Sequence, residues 1–204
     1  MEYLETLTED YFDRGLDIPE YIEQLRNYRS LVRKLMEEAQ AEPEHIEMLR
    51  KSTAEHPQPV RATAHTEDWC GDWACNVPIL RSLFEEAGIP FRVLRGSENP
   101  ELKKRYEREG VEHIPVVSLW NGEGEEIARW VEAPEKVSEM KSRWKKENPE
   151  LMELYGRKEH DKEAAKEFAK LYRRFLEEMA DWYREGMWSE TTREITEIAA
   201  KRQA

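Results

Sequence analysis

Cysteine is scarce in this sequence, because the 204 residues include only Cys70 and Cys75. A disulfide-stapled secreted domain carries more cysteines, and a structural zinc site needs further Cys or His ligands close by. The two thiols are therefore not expected to hold the fold together. A metal or iron–sulfur centre would be short of ligands unless two subunits shared it, so neither a bound metal nor a cofactor is predicted.

Long hydrophobic runs are also missing. No stretch approaches the roughly 18 apolar residues that span a bilayer, and the first twenty residues are acidic, unlike a secretory signal. We therefore expect a cytoplasmic protein with no membrane partner. Acidic residues outnumber basic ones by 44 to 32, which gives a net charge of −12. Because this charge repels phosphate backbones, nucleic-acid binding is not expected.

Aromatic residues are well represented, with 7 Trp, 8 Tyr and 5 Phe in a chain that is 37% charged. A disordered chain has few aromatic residues, so wholesale disorder is excluded. A length near 200 residues is enough to bury a substantial core, and it predicts one compact domain with appendages.

The first of three zones, residues 1–57, is predicted to be a helical extension. Asp17 and Pro19 mark a helix start, and apolar residues spaced three or four apart from Tyr21 to Met36 indicate one buried stripe. A second short helix is expected after Pro43.

The last zone, residues 148–204, is also predicted to be helical. Its apolar face runs from Phe168 to Tyr183, Gly186 is expected to end that helix, and Ser189 is expected to cap another. The face either packs on the core or forms the interface of a homodimer, and the sequence leaves both open.

The middle zone, residues 58–147, alternates between strand and helix signals. The predicted order is a strand near Val60–Ala64, a helix Gly71–Ala87, a strand Phe91–Leu94, a helix from Asn99 to Gly110, strands Val116–Trp120 and Glu126–Val131, and a helix Pro134–Trp144. Asn121-Gly122 between the last two strands is typical of a hairpin. This order predicts an α/β mixed sheet with parallel strands, one antiparallel hairpin at an edge and helices on both faces.

Cys70 is placed where the first strand turns into a helix. Unpaired N–H groups at a helix N-terminus stabilise an anion, and the thiolate is the reactive form of cysteine. Gly71 leaves space beside the sulfur, and Trp69 offers an apolar wall. These features predict a reactive thiol.

The motifs around this cysteine resemble those of the thioredoxin superfamily. They are Trp69-Cys70-Gly71, Pro78 eight residues after the cysteine, and Ile114-Pro115 ahead of an apolar strand. The resemblance covers about residues 58–147 and implies a thioredoxin-like sheet sandwiched by helices, with additional N- and C-terminal helices. It also implies that Pro115 is a cis-proline facing Cys70 and that the backbone of Ile114 binds a substrate chain. The Trp-Cys-Gly-Asp form is similar to a bacterial branch of the superfamily.

Two positions depart from the family pattern. Trp73 replaces the second cysteine of a thioredoxin, and Ala64 stands where the family has a buried acid. Five residues along a helix separate Cα atoms by about 8–9 Å, beyond the approximately 7 Å limit for a disulfide. A disulfide between Cys70 and Cys75 therefore requires the first helical turn to open. A resolving role and a buried core position both stay open for Cys75.

Charge around the cysteine argues against a strongly oxidising thiol. Glu67, Asp68 and Asp72 are close in sequence, and negative charge disfavours a thiolate, whereas the helix terminus favours it. His113 is a candidate for a compensating cation, and Asp72 for a proton acceptor. For each the alternative is a solvated surface residue. His65 is interpreted as a strand-end residue without a role.

Two functions follow from these observations. The first is a thiol–disulfide oxidoreductase in which Cys70 attacks a protein or low-molecular-weight disulfide, and Cys75 or a second thiol resolves the product. The second is a redox-inactive module that holds a peptide or protein partner against an aromatic rim of Trp69 and Trp73. The predicted site consists of catalytic Cys70 and Cys75 with substrate-binding Trp69, Gly71, Asp72, Trp73, His113, Ile114 and Pro115.

Overall fold

The computed structural model describes residues 3–201. Within that range the helices are α1 Glu9–Phe12, α2 Ile18–Gln24, α3 Arg29–Glu38, α4 Pro43–Thr53, α5 Gly71–Ala87, α6 Pro100–Arg108, α7 Glu135–Glu147, α8 Glu150–Arg157, α9 Lys162–Trp182 and α10 Trp188–Ala200, with a π-helical turn at Tyr183–Met187. The strands are β1 Arg61–Thr66, β2 Phe91–Arg95, β3 Val116–Trp120 and β4 Glu126–Val131. The described chain divides into two compact units, one formed by the residues up to Ala133 together with those from Trp188, the other by Pro134–Met187.

The four strands form one mixed sheet in the order β2-β1-β3-β4. β1 and β2 are parallel, as the crossover through α5 predicts, and β3 and β4 form the predicted antiparallel hairpin. The strand order predicts that the crossover through α6 makes β3 parallel as well, and this is wrong: β3 runs antiparallel to β1, so that Val116 at its start pairs with His65 near the end of β1. This direction brings the residues before Val116 to the edge of the sheet where β1 ends.

The hairpin loop is longer than two residues and is built around Asn121. The Asn121 side-chain oxygen accepts hydrogen bonds from the backbone N–H groups of Glu123 and Glu125. Gly124 has a φ of 79°, a value that favours glycine, and its carbonyl accepts the backbone N–H of Leu7 at 2.8 Å. The hairpin therefore also anchors the N-terminal segment.

One face of the sheet is covered by the N-terminal segment and α6. Leu94, Val116 and Trp120 form a core cluster there with Tyr11 and Tyr106. Alternate residues of a strand point to opposite faces, so Val117 and Leu119 belong to the other face.

The second face is covered by the C-terminal helix α10. Its residues Ile195 and Ile198 line a small cavity together with Val117 and Leu119. α10 also packs on α4 and α5. Helices on both faces of the sheet are thus confirmed. Ser189 lies inside α10 and does not cap it, so that prediction is wrong, whereas Gly186 interrupts the helical path with a φ of 132°.

The single N-terminal stripe predicted from Tyr21 to Met36 is divided between two helices. α2 begins at Ile18, and Asp17 caps it in a capping box with Glu20. The helical path breaks between Leu25, with a ψ of 122°, and Tyr28, with a φ of 56°. The spacing of apolar residues continues across the break, and for that reason the sequence pattern did not reveal it.

The second unit contains α7, α8 and α9. Trp144 of α7 packs on Phe175 of α9 with ring centroids 4.6 Å apart, and its indole N–H donates to Glu178 at 2.6 Å. Phe168 and Tyr172 stack at 5.5 Å. The apolar face predicted for this zone is used, at least in part, to join these helices to one another.

Candidate active site

Cys70 occupies the N-cap of α5, as predicted. β1 ends four residues earlier, and the Cys70 N–H closes a turn by donating to the carbonyl of Glu67 at 3.0 Å. The Cys70 sulfur accepts the backbone N–H of Trp73 at 3.5 Å. A hydrogen bond of this kind, together with the helix terminus, favours the charged form of the sulfur.

The cis-proline loop faces this sulfur. The Ile114–Pro115 peptide bond is cis, and the Cys70 thiol donates a hydrogen bond to the Ile114 carbonyl at 3.4 Å. The antiparallel direction of β3 explains the placement, since Pro115 immediately precedes Val116, the partner of His65. Residues 44 positions apart in the chain therefore form one site.

Little of the cysteine reaches solvent. Cys70 is 5% exposed. Its hydrogen bond to a carbonyl requires the thiol proton, so that contact favours the neutral form, in opposition to the Trp73 N–H. Attack on a substrate requires the thiolate, and the sulfur must therefore exchange its contact with Ile114 for one with the substrate.

The two tryptophans of the predicted rim have different environments. Trp69 is 60% exposed beside Cys70, whereas Trp73 is 1% exposed. The Trp73 ring meets Tyr21 of α2 edge-on at a centroid distance of 6.0 Å and Phe91 of β2 at 6.3 Å. The prediction of an exposed aromatic rim that contains Trp73 is therefore wrong. The residue that replaces the family's second cysteine packs the N-terminal helices onto the sheet.

Cys75 is fully buried within α5. Its backbone carbonyl accepts the indole N–H of Trp188 in α10 at 2.8 Å, and the next side chain, Asn76, accepts the hydroxyl of Thr191 at 2.8 Å. The Asn76 amide also donates to the carbonyl of Asp72 at 2.8 Å. These contacts hold the first turns of α5 closed. No local sequence signal predicts them, because Trp188 and Thr191 are more than 100 residues away.

Two of the carboxylates expected to disfavour the thiolate, Asp68 and Glu67, bind the strand exit of β2. Asp68 is buried and accepts Arg95 Nε at 2.9 Å, and Glu67 accepts the backbone N–H of Ser97 at 2.6 Å. Asp72 is half-buried in the first turn of α5, next to the buried Gly71. The negative charge on Asp68 therefore weighs less on Cys70 than its position in the sequence implies.

The two histidines near the site also differ. His113 is 65% exposed and lies 3.8 Å from Glu132, so the structure pairs it with a carboxylate. His65 is buried under Tyr106, with ring centroids 5.4 Å apart. Burial, assisted by the charge of Lys103, lowers the pKa of His65 to about 4.

Two structural features are absent from residues 3–201. That range holds no cluster of three His, Cys, Asp or Glu side chains arranged for a metal ion. None of its helices combines the length and apolarity needed to cross a bilayer.

Comparison with known proteins identifies the fold. A family model described as Thioredoxin matches residues 15–145. No curated protein matches the chain. A protein of unknown function from Pseudomonas aeruginosa has a similar solved structure, with a TM-score of 0.58, 16% identity, and coverage of 94% of this chain and 96% of that one.

Two further solved structures are similar over smaller parts of the chain. An HIV epitope scaffold has a TM-score of 0.50 and 22% identity, covering 62% of this chain and 77% of its own. Thioredoxin from Fasciola hepatica has a TM-score of 0.32 and 22% identity, covering 47% of this chain and 89% of its own.

Proposed function

Because the chain belongs to the thioredoxin superfamily, we propose that it is a thiol–disulfide oxidoreductase with Cys70 as its nucleophile. The observation that carries the proposal is the contact of the Cys70 sulfur with the Ile114 carbonyl, 3.4 Å apart, beside the cis peptide bond of Pro115. The family match by itself supports only the fold and leaves the activity open. The position of the sulfur at the N-terminus of α5 supports the chemistry.

The first chemical step is attack of the Cys70 thiolate on one sulfur of a substrate disulfide. A bond forms between Sγ and that sulfur, the substrate S–S bond breaks, and the expelled thiolate takes up a proton from solvent. The substrate is a protein or low-molecular-weight disulfide. Its chain lies along the backbone of Ile114, with the exposed indole of Trp69 as an apolar contact.

The mixed disulfide is resolved by a second, external thiol. Cys75 is fully buried, and its carbonyl is bound to Trp188, so it reaches Cys70 only if α5 opens. A low-molecular-weight thiol instead attacks the substrate sulfur, releases Cys70 as thiolate and becomes linked to the substrate. A further thiol exchange completes the reduction, so two external thiols are oxidised for each substrate disulfide reduced.

Matched serine variants of the two cysteines test this mechanism. We expect Cys70→Ser to reduce turnover of a small-molecule disulfide, with a low-molecular-weight thiol as reductant, to the uncatalysed rate. Cys75→Ser should keep most of the activity, because its thiol takes no part. Unchanged activity in Cys70→Ser would refute the oxidoreductase. Accumulation of mixed disulfides in Cys75→Ser would show that Cys75 is the resolving thiol.

A peptide-binding module without redox activity is the second candidate. The low exposure of Cys70, at 5%, together with the 60% exposure of Trp69 favours it. It predicts slow alkylation of Cys70, at the rate of an ordinary covered thiol, and tight binding of a peptide by Cys70→Ala. Fast, pH-dependent alkylation with no peptide retained by Cys70→Ala would exclude this module.

A further inference from the structure

Arg95 and Asp68 form a buried ion pair directly before the turn that carries Cys70. Arg95 Nε and Asp68 Oδ1 are 2.9 Å apart, and the side chains are only 5% and 8% exposed. Removing two charges from water costs free energy that their attraction seldom recovers, so a buried pair is weak evidence for stability. Asp68 lies two residues before Cys70, and this position points instead to an effect of the pair on that thiol.

The residues on either side of Asp68 are fixed as well. The Glu67 carboxylate accepts hydrogen bonds from the backbone N–H of Ser97 at 2.6 Å and from its hydroxyl at 3.2 Å. The Glu67 carbonyl accepts the Cys70 N–H at 3.0 Å. The exit of β2, where Arg95 and Ser97 lie, thus holds two successive side chains of the turn that positions Cys70.

The N-terminal segment fixes the same pair from another direction. Asp68 Oδ2 accepts the backbone N–H of Arg26 at 3.2 Å. The guanidinium of Arg95 lies 5.3 Å from the centre of the Tyr21 ring, at a distance where a cation is attracted to an aromatic face. Tyr21 in turn packs on Trp73 of α5. Arg95 therefore lies between α2 and the turn before α5.

We propose that Arg95 is a positioning residue for Cys70. By holding Asp68 it fixes the turn that places the Cys70 sulfur opposite Pro115, and by neutralising the Asp68 carboxylate it prevents that charge from disfavouring the thiolate. The inference extends the proposed function, because a poised thiolate is what disulfide exchange requires.

Other charged groups lie around the cysteine and stay in place in every variant used below. They are Glu67 and Asp72 on its own segment, His113 and Glu132 on the cis-proline side, and Arg26 and Glu98 beside the ion pair. A change at Arg95 removes its pair with Asp68 together with its weaker contacts with Glu98 and Tyr21, and leaves the other charges around Cys70 unchanged.

The test is the pH dependence of Cys70 alkylation by iodoacetamide, followed by mass spectrometry of the peptide that contains Cys70. We expect Arg95→Met to move the midpoint of the profile upward by about one pH unit, which makes alkylation about tenfold slower below the midpoint. Arg95→Lys keeps the charge and should stay within about threefold of the wild-type rate. If Arg95→Met does not fold, Arg95→Gln, also neutral, replaces it with the same expected shift.

A matched control is available in a second buried ion pair. Arg105 and Glu126 are 2.9 Å apart with side chains 11% and 7% exposed, and they join α6 to β4. Arg105→Met should reduce stability and leave the Cys70 profile unchanged. A wild-type profile in the neutral Arg95 variants, or an equal shift in Arg105→Met, would overturn the proposal. Alkylation requires no disulfide turnover, so the two proposals can fail separately. If the wild type shows no turnover, the oxidoreductase is refuted, whereas a shifted alkylation profile in Arg95→Met still supports the positioning role.

Discussion

Acid should destabilise this protein through one buried histidine. His65 is 5% exposed and lies under the ring of Tyr106. Its pKa is lowered from 6.5 to about 4, chiefly because burial disfavours the charged form and secondarily because of the charge of Lys103. Between these two values the unfolded chain binds a proton at His65 and the folded chain does not. The folded state therefore loses stability as the pH falls from about 6.5 to about 4, and above 6.5 His65 has almost no effect.

The size of the effect follows from the two pKa values. They differ by about 2.5, and each unit corresponds to about 1.4 kcal/mol, so the full loss below pH 4 is about 3 kcal/mol. At pH 5 about 2 kcal/mol of this loss is already present. Domains are stable by only about 5–15 kcal/mol, so the change is easily measured.

The assay is urea unfolding at pH 7 and pH 5, followed by tryptophan fluorescence, for the wild type and for His65→Phe. Phenylalanine keeps an aromatic ring against Tyr106 and removes the titrating group. We expect the wild type to lose about 2 kcal/mol more than His65→Phe between the two pH values. His160→Gln, which changes an exposed histidine, should behave as the wild type does.

Comparing the two proteins removes the contribution of every other titrating group. Equal losses in the wild type and His65→Phe would refute the reasoning, because they would mean that His65 takes up its proton equally in the folded and unfolded states. A smaller loss of unfolding free energy in His160→Gln than in the wild type would also contradict the reasoning, because it would assign part of the acid sensitivity to an exposed histidine.

Two glycines and one tryptophan give further tests. Gly88→Ala should cost about 1 kcal/mol from its φ of 76° alone, because a Cβ there meets nothing within 4 Å. Gly124→Ala, at a φ of 79°, should cost about 3 kcal/mol in the same urea assay, because its Cβ would lie 2.4 Å from the Leu7 carbonyl oxygen; equal costs would contradict the role of that contact. Trp188→Phe removes the hydrogen bond to the Cys75 carbonyl and should cost about 1 kcal/mol. It should also speed disulfide formation at Cys75 under mild oxidation, and an unchanged rate by mass spectrometry would show that α10 does not restrain α5.

The sequence alone determined the features that depend on local signals. Helix α5 has the predicted bounds Gly71–Ala87, since Gly88 supplies the left-handed residue that ends it. Strands β3 and β4 also have their predicted bounds. Cys70 was placed at a helix N-terminus from its neighbours, and the cis peptide bond at Pro115 was implied by the family resemblance.

Only the tertiary structure decided what surrounds the cysteine. Asp68 pairs with Arg95, and Trp73 is buried against Tyr21. Cys70 is likewise almost completely buried. Each of these features depends on residues that are distant in the chain. Local pattern carries information over one or two helical turns, whereas these contacts depend on the path of the whole chain.

The direction of β3 is the clearest instance. A strand pattern specifies which residues alternate between two faces, and it is the same for a strand read in either direction. The pattern of residues in β3 therefore does not predict the antiparallel pairing of Val116 with His65. That pairing is nevertheless the reason that Pro115 lies opposite Cys70.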